Sequence, residues 1–240
     1  IASLNTSFGE GPGGSYHTLY DTYAHFTRFR DPGLVYGVTL AELNGRATLR
    51  LANAPVLPFE FTNLADHVAD YLEELEALTT TMREETARTN ALLASGAFAL
   101  ALDPQDTLGP PEAEAEVPYL NFAPLENAVA RLEESAAAWA AAEVDPEALD
   151  AATLARLNRL LYTSERVLTL EDGLPRRPWF RHHVYAPGFY TGYGVKTLPA
   201  VREAIEEREF DAVDTQVRRT AAVLEAMAER IETIVALVEA

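Results

Sequence analysis

The stretch VDTQVRRTAAVLEAMAERIETIVALV, residues 213–238, carries the clearest structural signal in the sequence. Apolar side chains recur there every three or four residues from Val213 to Val238, and most charged residues fall between them. This spacing places the apolar side chains on one face of an α-helix. We therefore predict a long amphipathic helix. Its apolar face could form the centre of the core or meet a second subunit, and the sequence favours neither.

Three earlier segments show the same helical periodicity. Their apolar stripes run from Val68 to Met82, from Leu125 to Trp139 and from Leu154 to Leu168. Thr62 or Asn63 would cap the first helix, which extends towards Leu93. Residues 103–124 contain five prolines and the acidic run PPEAEAEVP, so we predict a loop there. None of the four helices could bury its stripe alone, and the pattern predicts a mainly α fold with an antiparallel four-helix bundle.

The composition excludes several classes of function. The chain has 240 residues with 48% hydrophobic content, which is enough for a packed core. A net charge of −18 would repel nucleic acid and anionic membranes, so neither is an expected partner. There is no cysteine, which rules out disulfides and thiolate metal sites. No apolar run reaches the roughly 18 residues needed to cross a bilayer.

The first part of the chain has a different pattern. Residues 1–8, IASLNTSF, predict a short strand that ends in a Gly/Pro loop, and residues 16–29 predict an aromatic-rich helix. Thr39, with Glu42 three residues later, predicts the N-cap of a second helix that ends before Pro55. The run Pro55-Val56-Leu57-Pro58 then marks the boundary between a domain at 1–54 and a domain at 55–240.

Common site motifs are absent or incomplete. Gly9, Gly11 and Gly14 spell a dinucleotide-binding motif, but no second strand with a terminal acidic residue follows, so we reject nucleotide binding. No histidine follows a glutamate at the Glu-x-x-His spacing of bundle di-iron sites, and the zinc motif His-Glu-x-x-His is also absent. His182 and His183 are adjacent, and in an extended segment they would point to opposite faces, which favours packing over joint chelation.

The segment GLPRRPWFRHHVYAP, residues 173–187, combines prolines, aromatic residues and arginines in a way that excludes a helix. Such composition is typical of an ordered loop with a function, although a well-packed crossover between helices is the simpler alternative. The following residues, GFYTGYGVKTLP, contain three glycines that allow tight turns around Tyr190 and Tyr193.

Three phrases in this order resemble the C-terminal third of the glutamate carboxypeptidase II and transferrin receptor family. They are SYHTLYDTY, the downstream FRDPGLVYGVTLAELNGRATLRLANAPVLPFEF, and GLPRRPWFRHHVYAP. The resemblance implies a short remnant of an α/β zinc-peptidase domain at 1–54 and a helical, transferrin receptor-like dimerisation domain at 55–240. It also implies a homodimer and, in the intact enzyme, a peptide substrate and two zinc ions.

The resemblance assigns roles to three residues. His17 matches a zinc ligand, Tyr16 matches a tyrosine that helps to hold the tetrahedral intermediate, and Tyr193 matches a tyrosine that contacts the substrate's C-terminal carboxylate. A neutral imidazole is a good zinc ligand, and a phenol beside the metal can donate to developing negative charge. Gly192 stands where the glutamate-specific enzymes carry a lysine, which weakens the expectation of glutamate specificity. Asn5 and Ser7 likewise replace an arginine patch.

The chain begins at Ile1, and we expect it to be the C-terminal region of a larger zinc exopeptidase. The family's other zinc ligands and its glutamate base would precede the first residue. One imidazole is a poor zinc site, so we predict neither stoichiometric zinc nor peptidase activity from this chain alone. The alternative is a receptor-like or scaffolding module without catalysis. Retention of Tyr16 and His17 favours the enzyme lineage.

Overall fold

A computed structural model describes residues 4–9, 15–101 and 109–239. The fold is mainly helical, and none of the described helices is both long and apolar enough to cross a membrane. The helices are α1 (Tyr23–His25), α2 (Val35–Asn53), α3 (Thr62–Ala94), α4 (Ala97–Ala101), α5 (Ala123–Ala141), α6 (Ala151–Thr163), α7 (Pro199–Glu206) and α8 (Phe210–Glu239). Strands β1 (Tyr185–Pro187) and β2 (Val195–Thr197) form an antiparallel pair, and short π and 3₁₀ turns cover Phe26–Arg30, Pro32–Leu34 and Ser164–Leu168.

The chain divides into two compact units. The first contains residues 1–59 and 145–162, and the second contains residues 60–144 and 163–240. Helices α1, α2 and most of α6 therefore belong to the first unit, whereas α3, α5, α7 and α8 belong to the second. The predicted four-helix bundle would join α6 to α3, α5 and α8, and it stays a prediction, as does the predicted boundary at Pro55.

Helix α8 is the centre of the second unit. Helices α5 and α7 and the 3₁₀ turn Ser164–Leu168 all pack against it. Its buried side chains are Val213, Val217, Thr220, Ala221, Val223, Leu224, Met227, Ala228, Ile231 and Ile234. The apolar stripe that the sequence left open is thus buried within a single chain, and α8 is a core helix.

The helical segments of the second unit match the sequence pattern closely. Helix α3 covers Thr62–Ala94 as predicted, although Phe61 takes the N-cap position and neither Thr62 nor Asn63 does. Helix α5 covers the stripe from Leu125 to Trp139. Residues 109–122 of the predicted loop are non-helical, whereas its last two residues, Ala123 and Pro124, begin α5. Residues 103–108 of that loop lie outside the described part of the chain. The stripe from Leu154 to Leu168 continues from α6 into the 3₁₀ turn.

The first unit corrects two predictions. Residues 4–8 form no strand, and the described part of this unit contains no other strand with which they could pair. The predicted helix at 16–29 is a series of turns up to residue 22, followed by α1 and the π turn Phe26–Arg30. The glycines Gly11 and Gly14 lie outside the described residues.

Helix α2 begins at Val35, four residues before the predicted cap at Thr39. The buried Asp31 carboxylate accepts hydrogen bonds from the backbone N–H groups of Tyr36 and Gly37, at 3.0 and 2.9 Å. These bonds satisfy two donors that a helix start leaves free. Thr39 instead donates its hydroxyl to the Val35 carbonyl at 2.8 Å, inside the helix. Asp31 therefore replaces Thr39 as the capping side chain.

Candidate functional site

Tyr16 and His17 lie on a tight turn in the first unit. The Ser15 carbonyl accepts hydrogen bonds from the Thr18 N–H at 3.0 Å and the Thr18 hydroxyl at 2.8 Å. Arg30 donates to the Ser15 hydroxyl at 2.9 Å, which ties the turn to the π turn Phe26–Arg30. His17 adopts a left-handed backbone with φ of 58°, a conformation that costs a non-glycine residue about 1 kcal/mol or more.

This turn displays both predicted side chains to solvent. The rings of Tyr16 and His17 stack with their centroids 3.8 Å apart, and Tyr16 is 71% exposed. Among the described non-glycine residues, Leu34, Arg176, Leu198 and Arg208 share this conformation, so it does not by itself assign a function to His17.

The metal-binding capacity of the described residues is limited. Across residues 4–9, 15–101 and 109–239, no three His, Cys, Asp or Glu side chains are grouped so that they could hold a metal ion. Zinc sites in proteins use three or four protein ligands. The His17 imidazole alone therefore does not fit a complete zinc site.

The second predicted element is the loop over residues 188–194, which joins β1 to β2. The Gly188 N–H donates to the Gly194 carbonyl at 3.0 Å, and the Thr191 hydroxyl donates to the same carbonyl at 2.8 Å. A Cβ at position 188 would collide with the Thr191 hydroxyl, so the closure requires glycine. Tyr193 lies near the end of this closed loop and is fully exposed.

A buried ion pair lies beneath this loop. Arg177 donates two hydrogen bonds to the Glu203 carboxylate, at 2.7 and 2.9 Å, and the two residues are only 2% and 7% exposed. The same carboxylate accepts a bond from the Phe189 N–H at 2.7 Å. The Arg177 Nε has no hydrogen-bond partner among the described residues. Charged hydrogen bonds in a bidentate arrangement are strong and fix the geometry of both partners.

Arg176 braces the outer side of the loop. Its guanidinium lies over the Phe189 ring at 4.0 Å from the centroid and over the Tyr190 ring at 5.7 Å. It also donates to the Glu207 carboxylate at 2.6 Å, which raises the pKa of Arg176. The guanidinium therefore links the loop to the residue that follows α7 through both ring stacking and an ion pair.

A second polar cluster combines Glu165, His182 and Tyr185. His182 Nδ1 accepts from the backbone N–H groups of Val184 and Tyr185 at 3.2 Å each, which leaves Nε2 to carry the proton in the neutral ring. That nitrogen lies 3.7 Å from a Glu165 oxygen, and burial lowers the pKa of His182. The same oxygen accepts the Tyr185 hydroxyl at 2.7 Å, and this bond raises the pKa of Tyr185 to about 12.

His183 has different neighbours from His182, as the prediction of opposite faces requires. Its ring is fully buried, and neither ring nitrogen has a hydrogen-bond partner among the described residues. Burial, together with the smaller effect of the positive charge on Arg219, lowers its pKa to about 4. His183 is therefore a neutral core residue near neutral pH.

We expect His183 to make the fold sensitive to acid. Its folded pKa of about 4 lies below the ordinary 6.5, so between these values the unfolded chain binds more protons and the folded state loses stability as the pH falls. The contribution of neutral His183 to the free energy of unfolding is fully present above about pH 6.5. About 2 kcal/mol of that free energy is lost between about pH 7.5 and pH 5. Urea unfolding of the wild type and His183→Gln at both pH values measures it.

The exposed His67 of α3 provides a matched histidine control, because His67→Gln makes the same substitution at a side chain that is 61% exposed. An equal loss of stability in the wild type and in His183→Gln on acidification would contradict the assignment.

Comparison with known proteins identifies the helical part. Residues 120–232 match the family model of the transferrin receptor-like dimerisation domain. Probable glutamate carboxypeptidases align over most of the chain: one of Arabidopsis thaliana is 28% identical over 86% of the chain, and one of Arthroderma benhamiae is 27% identical over 86%. These matches support the transferrin receptor-like and glutamate carboxypeptidase family for this chain. A probable glutamate carboxypeptidase of Zea mays, 26% identical over 85% of the chain, extends the series.

The chain spans about a quarter of the length of these relatives, 24% of the Arabidopsis protein and 25% of the Arthroderma protein. The matched region of the dimerisation-domain family runs from just before α5 almost to the end of α8. It includes the buried Arg177–Glu203 pair and the 188–194 loop.

The structure places the predicted residues of this chain in two groups. Tyr16 and His17 are in direct contact in the first unit, and Tyr193 belongs to the second unit. Arg177, Glu203 and Glu165 were not predicted as site residues. Arg177 and Glu203 are 26 positions apart, and no motif in the sequence links them.

Proposed function

We propose that this chain is the C-terminal dimerisation region of a glutamate carboxypeptidase II-like zinc exopeptidase. Residues 1–54 would be the end of the peptidase domain, and residues 55–240 would be the dimerisation domain with its four-helix bundle. The observation that carries the proposal is the match of residues 120–232 to the transferrin receptor-like dimerisation domain. The relatives named as probable glutamate carboxypeptidases align over both parts and support it.

In the intact enzyme the first part would contribute His17 as one zinc ligand and Tyr16 as a hydrogen-bond donor. A neutral imidazole suits zinc, and a phenol that is held beside it can donate to negative charge as it develops on the substrate. The stacked, exposed arrangement of these rings is compatible with both roles. As the family resemblance implies, the remaining ligands and the general base would come from another part of the parent protein.

The second part would contribute Tyr193 to substrate recognition. Its hydroxyl is available, because the side chain is fully exposed on the 188–194 loop. A phenol can donate a hydrogen bond to a carboxylate, which is the group expected at the end of a carboxypeptidase substrate. Gly192 offers no charge beside it, and this favours a substrate preference that is broader than glutamate.

The rival function is a non-catalytic receptor-like or scaffolding dimer. The match to a dimerisation domain, which implies pairing but no chemistry, is the observation that keeps it open. The parent sequence upstream of residue 1 separates the two functions. A histidine, two acidic ligands and a Glu-Glu pair there would support the peptidase, and their absence would support the rival.

Sedimentation velocity tests the dimerisation role. We expect the purified 240-residue chain to sediment as a dimer of its 26.3 kDa protomer, with dissociation on dilution. A specific interface should bury roughly 1,000 Å² or more of total accessible surface. A chain that remains a monomer at high concentration would contradict the assignment. Zinc analysis of the same tag-free sample should show no stoichiometric metal.

A further inference from the structure

The 188–194 loop cannot fix the position of Tyr193 by its own side-chain contacts. The Tyr193 side chain is fully exposed, so its location depends on how the loop backbone is held. The Gly188–Gly194 hydrogen bond closes the loop on itself, and the β1–β2 pairing holds its base. Neither interaction ties the loop to the helices below it.

Arg176 links the loop side chains to Glu207, and the Phe189 N–H ties the loop backbone itself to a helix. It donates at 2.7 Å to a Glu203 oxygen, and Glu203 lies on α7, which packs against α8. The bond joins the first residue after Gly188 to a rigid helix. Because the acceptor is a charged carboxylate in a buried place, the bond is stronger than an ordinary backbone contact.

Arg177 in turn determines where the Glu203 carboxylate points. The two bonds of its guanidinium, at 2.7 and 2.9 Å, fix the plane of the carboxylate and leave one oxygen directed to the Phe189 N–H. Arg177 is itself held by its N–H, which donates to the Leu174 carbonyl at 3.1 Å. Three segments thus converge on one carboxylate. An ion pair that served only the core would not require the third bond to the loop.

We propose that Arg177 and Glu203 are positioning residues that hold the 188–194 loop, and with it Tyr193, in the orientation that faces the substrate. This inference rests on the proposed function, in which Tyr193 binds the substrate carboxylate. Neither residue touches the substrate, and both act through the Phe189 backbone.

The double variant Arg177→Met/Glu203→Met tests this role, because it removes the loop's acceptor without leaving an unpaired buried charge. Residue-resolved hydrogen exchange should show the Phe189 amide exchanging about 10- to 100-fold faster, as expected when a charge-assisted bond is lost. Exchange of the α8 core amides should accelerate much less, by no more than the residual loss of global stability. Unchanged protection at Phe189 would overturn the proposal.

Lys196→Met is the matched control. Lys196 lies on β2 and pairs with Glu206 of the same helix α7 at 2.8 Å, but it makes no bond to the loop backbone. We expect this variant to leave Phe189 exchange at the wild-type rate. Equal acceleration in both variants would overturn the proposal, since any loss of an α7 ion pair would then have the same effect.

A second readout uses the full-length parent enzyme. There the double variant should raise KM about 10-fold and leave kcat within about twofold, because positioning of a binding group affects substrate affinity more than the chemical step. An equal loss in kcat with no change in KM would contradict positioning. A parent without peptidase activity would refute the proposed function, whereas the exchange measurement would still decide whether the pair holds the loop.

Discussion

Replacement of Arg177 by methionine is expected to lower the free energy of unfolding by about 3–5 kcal/mol. The substitution leaves the Glu203 carboxylate in a site that is only 7% exposed, without its two charged hydrogen bonds. An unpaired buried charge is among the largest single costs that a fold can carry. Urea unfolding near neutral pH, followed by circular dichroism, measures the loss.

The double variant Arg177→Met/Glu203→Met separates this cost from the net contribution of the pair. The Arg177 Nε has no hydrogen-bond partner among the described residues. The attraction within the pair therefore does not fully offset the free energy needed to remove both charges from water. The double variant should therefore recover most of the stability that the single variant loses. A double variant as unstable as Arg177→Met, or a single variant that costs less than about 1 kcal/mol, would show that the charge is not effectively buried.

The second large effect is expected at Leu224, a fully buried residue on α8. Leu224→Ala removes buried methyl groups and leaves a cavity, which costs about 2–5 kcal/mol. The neighbouring Glu225→Ala is the control, since Glu225 is exposed and its loss should change stability by no more than about 0.5 kcal/mol. Thermal and urea unfolding of both variants provide the comparison.

Repeating the Leu224 experiment at several protein concentrations distinguishes a single-chain core from a subunit interface. The α8 stripe is buried within one chain, so the destabilisation by Leu224→Ala should be the same at low and high concentration. A loss of stability that appears only where the wild type is dimeric would place Leu224 at a subunit interface and contradict the single-chain core.

Long amphipathic helices were the most predictable part of the fold. Helices α3, α5 and α8 each repeat apolar residues over several turns, and burial of that face determines their structure. Short elements were less predictable, because their structure depends on contacts distant in the sequence. The strand expected at residues 1–8 has no pairing partner among the described residues of its unit, and the eight-residue helix α7 was not predicted.

Local competition explains the start of α2. Thr39 and Asp31 can both cap a helix, and the sequence favoured Thr39 because Glu42 completes a capping box. In the structure the preceding Gly33 and Leu34 adopt left-handed conformations that bring Asp31 to the helix start. The resemblance to a known family could name Tyr16, His17 and Tyr193, but it could not reveal Arg177 and Glu203, whose contact arises only when α7 folds beside the loop.

The burial of α8 separates folding from assembly. A newly synthesised chain can bury the apolar face of α8 against its own α5 and α7, and this burial does not require a second subunit. The protomer that associates with a second subunit is then already folded, and α8 exposes little apolar surface that could cause aggregation. The folding stability of the protomer and the affinity between subunits can accordingly change independently during evolution, because different residues determine them.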